Sequence, residues 1–197
     1  MQRTNISKDT NFIGSWNIND DNLCNNIVKF FENNKLLQKK GSTSSGVDEK
    51  VKNSIDISIN PNNLHKDGFQ DLKLYFNRLF DCYQDYKKQW PFLNKTLSMV
   101  DIPRFNIQKY NIGGHFAELH TERENTSTMH RVFAWMTYLN DVDDGGETYF
   151  EYFDLKVKPE IGKTLIWPAE WTHAHSGEIL KVETKYIITG WMCFPIS

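Results

Sequence analysis

Beyond residue 101 the chain breaks into short β-type runs, at about 102–110, 115–122, 130–139, 147–157, 163–167, 171–175 and 184–193, separated by turns such as Gly113-Gly114 and Asp144-Gly145-Gly146. This pattern constrains the fold more than any other feature, because strands that follow one another without intervening helices do not build βαβ units. Helical periodicity is confined to the first half. Residues 20–38, DDNLCNNIVKFFENNKLLQ, open on capping aspartates and set Leu23, Ile27, Phe30, Phe31 and Leu37 at helical spacing. A second helix is predicted from about Asp67 to about Lys88, with a wide apolar face from Phe69 to Tyr86 and Pro91 to stop it. Between the two, residues 40–54 (KGSTSSGVDEKVKNS) are rich in Ser, Gly and Lys and read as an exposed, mobile loop. The expectation is a mainly β, α+β chain: a β-sandwich or barrel backed by helices, in a single domain over 1–197. Residues 1–100 form its helical support region and 101–197 its β core.

Composition permits this and narrows the partners. A content of 39% hydrophobic and 14% aromatic residues is enough for a substantial core in 197 residues. The 23 basic and 25 acidic residues are interleaved, so no basic stripe invites nucleic acid. No apolar run approaches the roughly 18 residues that span a bilayer, and the opening MQRTNISKDTNF lacks the apolar core of a signal peptide. A soluble, cytoplasmic protein without nucleic-acid or membrane partners is expected. Cys24, Cys82 and Cys193 are far apart and outside any C-x-x-C pattern, which predicts packed, reduced thiols.

The chemistry centres on HFAELHTE, residues 115–122. On a strand, residues two apart face the same side, so His120 and Glu122 project together as a chelating pair would. Chance supplies roughly 0.8 His-x-acid pairs in a chain of this composition, so the pair alone is a weak signal. A mononuclear iron site of the two-His-one-carboxylate type needs one more imidazole and leaves three positions open, while zinc accepts the same donors. WTHAHSG offers His173 and His175 on one face of a strand about fifty residues on, two candidates for one place. In KYIITGWM, Lys185 leads a half-buried face shared with Ile187, Thr189 and Trp191. A lysine in that setting implies an anionic partner such as a carboxylate.

YNIGGHFAELHTE, RVFAWMTYLND, GGETYF, LIWPAEWTHAHSG and KYIITGWM, in that order, resemble the prolyl 4-hydroxylase branch of the 2-oxoglutarate- and Fe(II)-dependent dioxygenases over about residues 102–194. The resemblance implies a double-stranded β-helix, the cupin-like jelly roll, with the N-terminal helices packed on its major sheet. It implies Fe(II) as cofactor with 2-oxoglutarate and O2 as cosubstrates. It assigns His120 and Glu122 as the first two iron ligands, with Glu122 where the family usually has aspartate, and His175 as the third, leaving His173 in the second sphere or as the alternative ligand. Lys185 would pair with the distal carboxylate of 2-oxoglutarate, Tyr138 would donate to it, Thr189 would supply a nearby hydroxyl of the same anchor, Tyr110 would lie near the metal and Trp191 would line the pocket. The activity implied is hydroxylation of an unactivated C–H bond, first of all on a prolyl residue of a peptide or protein, with the polar stretches 40–54 and 123–130 as lids. A small-molecule or nucleobase oxygenase and a non-catalytic cupin-like binding module are the alternatives.

Overall fold

The computed structural model describes residues 1–7, 10–43 and 45–195. Strands β1 (Gln2–Arg3) and β2 (Gly14–Asn17) precede helix α1 (Asp21–Asn33). Strands β3 (Lys39–Lys40), β4 (Lys52–Asn53) and β5 (Ile55–Ile59) come before α2 (Gln70–Gln89) and the short α3 (Leu93–Thr96). The rest is β: β6 (Phe105–Tyr110), β7 (His115–His120), β8 (Arg131–Tyr138), β9 (Thr148–Phe150), β10 (Leu155–Val157), β11 (Lys163–Pro168), β12 (His175–Gly177) and β13 (Lys185–Cys193). Among the described residues one sheet runs β1-β2-β11-β8-β13-β6-β5-β3 and the other β10-β9-β12-β7-β4. From β6 to β13 the chain crosses from one sheet to the other after each strand, save for the β9–β10 hairpin within the smaller sheet. That alternation defines the double-stranded β-helix, and the fold is a jelly roll with helices on its larger sheet.

The helices follow from their sequence. Asp20 caps α1 by accepting from the Leu23 amide at 3.2 Å, and Leu23, Cys24, Ile27 and Phe31 form the buried stripe. The helix ends at Asn33, not at residue 38: the Asn34 side-chain amide donates to the Phe30 carbonyl and that of Gln38 to the Phe31 carbonyl, satisfying the last turn early. In α2 the buried residues are Leu72, Tyr75, Leu79, Cys82, Tyr83 and Tyr86, whereas Leu74 and Phe80 stay exposed.

Three expectations need correction. The first hundred residues are not only helical, because β2 and β5 extend the larger sheet on either side and β4 extends the smaller one. The alternation Ile55-Asp56-Ile57-Ser58-Ile59 explains β5: the isoleucines pack under the helices, and Asp56 and Ser58 face the barrel interior. Residues 40–54, read as an exposed loop, leave β3 at the edge of one sheet and arrive in β4 at the edge of the other, with Lys52 buried; Ser44 lies outside the described residues. The run at 147–157 is a hairpin, not one strand, turned by Glu151–Phe153 and by Asp154 in the left-handed region at φ 44°, a conformation aspartate tolerates.

Two cores result. One lies between the helices and the outer face of the larger sheet, with Trp16, Phe31, Tyr75, Tyr86, Phe105 and Trp135 among its members. The other lies between the sheets around Tyr138, Phe150, Leu165 and Trp167. Trp135 is fully buried, its ring centroid 5.7 Å from Phe76 and 6.0 Å from Tyr75. It also fills the space above Gly190, where a Cβ would come within 2.7 Å of the indole. Trp135→Ala is expected to lower unfolding free energy by about 3–5 kcal/mol, read as a shift of the urea midpoint.

Candidate metal centre

The backbone register brings the two imidazoles together, since His175 at the start of β12 pairs directly with His120 at the end of β7. Glu122 sits two residues past the strand end, where the chain turns towards β8. Among the described residues, His120, Glu122 and His175 form the one group of ligating side chains whose donor atoms all lie within 4.8 Å of one another. His175 Nε2 is 3.5 Å from Glu122 Oε1.

Both rings are aimed by the same device. His120 Nδ1 bonds the Glu118 carbonyl at 2.8 Å and His175 Nδ1 bonds the His173 carbonyl at 2.9 Å. A carbonyl requires a proton on Nδ1, which leaves each Nε2 with its lone pair free for a metal. Phe116 stacks on His120 at 3.9 Å, and Trp167 meets His175 edge-on at 5.1 Å. Burial, with the neighbouring His175, lowers His120 to about 4, so its ring is neutral at physiological pH. Burial alone would raise Glu122, but the hydrogen bond with His175, the neighbouring His120 and the Trp191 N–H outweigh it and hold the carboxyl at about 2. Two imidazoles and one carboxylate converging on a point are the donor set of a mononuclear Fe(II) site.

The other predicted residues divide. His173 does not share a strand face with His175, because Trp171–His173 forms a 3-10 turn in which the His173 amide donates to the Glu170 carbonyl. Its ring turns away to place Nε2 2.8 Å from the Asn11 carbonyl, and it meets the centre only through the carbonyl that orients His175. Lys185, Tyr110, Thr189 and Trp191 line the same cavity of about 570 Å³ as the three ligand candidates. The Lys185 ammonium is buried, donates to the Gly146 carbonyl at 2.7 Å and lies 4.6 Å from the centre of the Tyr110 ring. Burial lowers its pKa to about 8 against the opposing charge of Glu147. Tyr138 is absent from the cavity wall; its hydroxyl is held between Thr148 Oγ1 at 2.7 Å and the Val157 carbonyl at 3.1 Å, as part of the inter-sheet core. The Thr189 hydroxyl donates to the Trp135 carbonyl at 2.8 Å, so its proton is not directed at a carboxylate.

Some residues at the site were not foreseen. Gly146, read as a turn, supplies the acceptor for Lys185, and at φ 72° a Cβ there would come within 3.3 Å of the lysine chain. On the adjoining wall Lys52 pairs with Asp56 at 2.7 Å, and Gln108 links Asp56 to the Tyr110 hydroxyl. The period-two run IDISI carried the signal for Asp56. Arg131, at the start of β8, reaches Glu122, and nothing in its local pattern marks it.

A jelly roll that gathers this donor set at one end of its barrel, beside a buried ammonium group, is the architecture of a mononuclear iron oxygenase. Residues 105–193 match the family model described as the 2OG-Fe(II) oxygenase superfamily. The cofactor is accordingly Fe(II), with 2-oxoglutarate and O2 as cosubstrates. Among solved structures, the chain is similar to a viral collagen prolyl hydroxylase from Paramecium Bursaria Chlorella virus-1 (18% identity, TM-score 0.62, covering 93% of this chain and 97% of that one). It is also similar to a prolyl-4-hydroxylase from Pseudomonas putida (14%, 0.72, 95% of both chains). A third is a Trichoplax adhaerens prolyl hydroxylase in complex with a hypoxia inducible factor oxygen degradation domain peptide fragment (16%, 0.73, 93% and 84%). No curated protein sequence matches the chain.

Proposed function

We propose that the chain uses 2-oxoglutarate and O2 to hydroxylate a prolyl residue in a peptide or protein, with His120, Glu122 and His175 holding Fe(II) and Lys185 the cosubstrate. The observation that carries this is the sharing of one cavity by the three ligand candidates, the buried Lys185 ammonium and both polar stretches read as lids. When bound, the iron with 2-oxoglutarate supplies the oxidising power: O2 is split, the ketoacid becomes succinate and carbon dioxide, and one oxygen atom enters a substrate C–H bond.

The chain's own residues do the rest. His120 and His175 present fixed Nε2 donors, and Glu122 presents one carboxylate oxygen. Lys185, with Tyr110 behind it, grips the distal carboxylate through a charge-assisted hydrogen bond in a site shielded from water. Phe116, Phe150 and Trp167 surround the imidazoles and keep their surroundings apolar. Ser42, Thr43, Ser45 and Glu124, Thr128 come from two separate segments to the cavity wall, which suits an extended polar chain laid between them. The prolyl hydroxylases with this fold, one of them holding a peptide, support the choice of substrate.

Incubation of proline-rich peptides with the enzyme, Fe(II) and 2-oxoglutarate is expected to add the mass of one oxygen atom to proline with equimolar succinate. Succinate release with every peptide unchanged would reassign the substrate and leave the oxygenase in place.

A further inference from the structure

The second ligand position carries a glutamate, one methylene longer than aspartate, and the surrounding residues account for the added length. Trp191 Nε1 donates to Glu122 Oε2 at 2.5 Å. The Arg131 guanidinium lies over the Trp191 ring, its Cζ 3.7 Å from the centroid. The same guanidinium donates through Nη1 to the Glu122 backbone carbonyl at 2.8 Å and stands 3.8 Å from Oε2. Arg131 is itself fixed from behind, since Arg123 Nε donates to its carbonyl at 2.9 Å and Arg123 is ion-paired with Glu170. These contacts engage Oε2 and the backbone of Glu122. Oε1 remains on the side of His175 Nε2, 3.5 Å away.

We infer that Trp191 and Arg131 are positioning residues that clamp Glu122 Oε2, so that the glutamate offers the metal Oε1 alone. The inference rests on the oxygenase reading above and extends it. An unrestrained carboxylate binds a metal through one oxygen or through two. With two imidazoles and a two-oxygen glutamate, a six-coordinate ion keeps two positions, which a chelating ketoacid fills, and none is left for O2. With Oε2 held away, three positions stay open. Arg131 adds positive charge beside Oε2 and fixes the plane of the indole that donates to it. An aspartate at this position would draw its carboxylate back by about 1.5 Å, one carbon–carbon bond, and out of reach of the Trp191 N–H. The glutamate and the clamp therefore form a matched set.

The test is a double-mutant cycle read by metal binding. Anaerobic Mn(II) affinity is measured by electron paramagnetic resonance in the wild type, Trp191→Phe, Glu122→Asp and the double variant. The near-infrared ligand-field spectrum of the Fe(II)–2-oxoglutarate complex is recorded for the same four. Trp191→Phe keeps a ring beneath Arg131 and removes only the N–H; it is expected to weaken Mn(II) binding about tenfold and to shift the ligand-field bands. In the Glu122→Asp background the same change is expected to alter affinity by less than about twofold, because no bond remains to be lost. Arg131→Gln serves as a second probe with the same expected direction if Trp191→Phe folds poorly. Equal losses in both backgrounds, or unchanged affinity and bands with Glu122 present, overturn the clamp while leaving the oxygenase intact. A wild-type protein that takes up no metal overturns both.

Discussion

His175→Ala is expected to abolish the slow turnover of 2-oxoglutarate to succinate that proceeds without a prime substrate, a loss of more than about a thousandfold. His120→Ala is expected to do the same. His173→Ala is expected to stay within about threefold of wild type, because alanine retains the backbone carbonyl that orients His175 and only a ring pointed at the Asn11 carbonyl is lost. The contrast isolates ligation from burial, since His173 and His175 are only 4% and 6% exposed, so a merely structural effect would fall on both. Succinate release and iron content of the anaerobically loaded protein are the measurements. Equal losses at 173 and 175 would remove the assignment.

The second large effect concerns Lys185. Replacing it with methionine, which keeps the buried chain and removes the charge, is expected to raise the KM for 2-oxoglutarate roughly a hundredfold, the worth of about 2–3 kcal/mol in a charge-assisted hydrogen bond. Iron content should be unchanged, because Lys185 touches Gly146 and Tyr110 and none of the three ligand candidates. The wild-type enzyme carries a pH signature of the same group. Its ammonium titrates at about 8 in the free protein, lowered by burial, and a bound dianion raises that value. Below about pH 8 the free site is charged and KM is flat. Above it the proton must be taken up on binding, so KM climbs by up to about tenfold per pH unit while kcat at saturation holds. In Lys185→Met this rise disappears. A KM that falls with pH, or a rise that survives the substitution, assigns the titration to another group.

How much of this was readable in advance depends on the range of the signal. His120 and Glu122 were legible because their spacing is local, and Lys185 because an ammonium on an apolar strand needs a partner whatever surrounds it. The choice between His173 and His175 was not legible from alternation. Pro168 and the turn after it give residues 171–173 a 3-10 path, so the two rings part company although they are two residues apart. Tyr138 was misplaced for a related reason: strand parity sends it inward, but depth within the barrel decides whether an inward residue meets the cavity or the core beside it, and depth is a property of the closed sheets. Strands β2, β4 and β5 went unread because they are short and lie among helical sequence. Their identity comes from partners far along the chain, as when Gly14 to Asn17 pair with Ile166 to Lys163.

That last pairing bears on how the molecule is made. β2, beside the two-residue β1 from the outset, gains β11 only after some 145 further residues have been added, and β6, already beside β5, waits for β13 as its second neighbour. Until then α1 and α2 have only the β3-β5-β6 part of the larger sheet to cover, and much of their aromatic faces stands in water. Loop closure over such distances places assembly among the slow, non-local cases, and the nascent chain is open to self-association until its final strand is released.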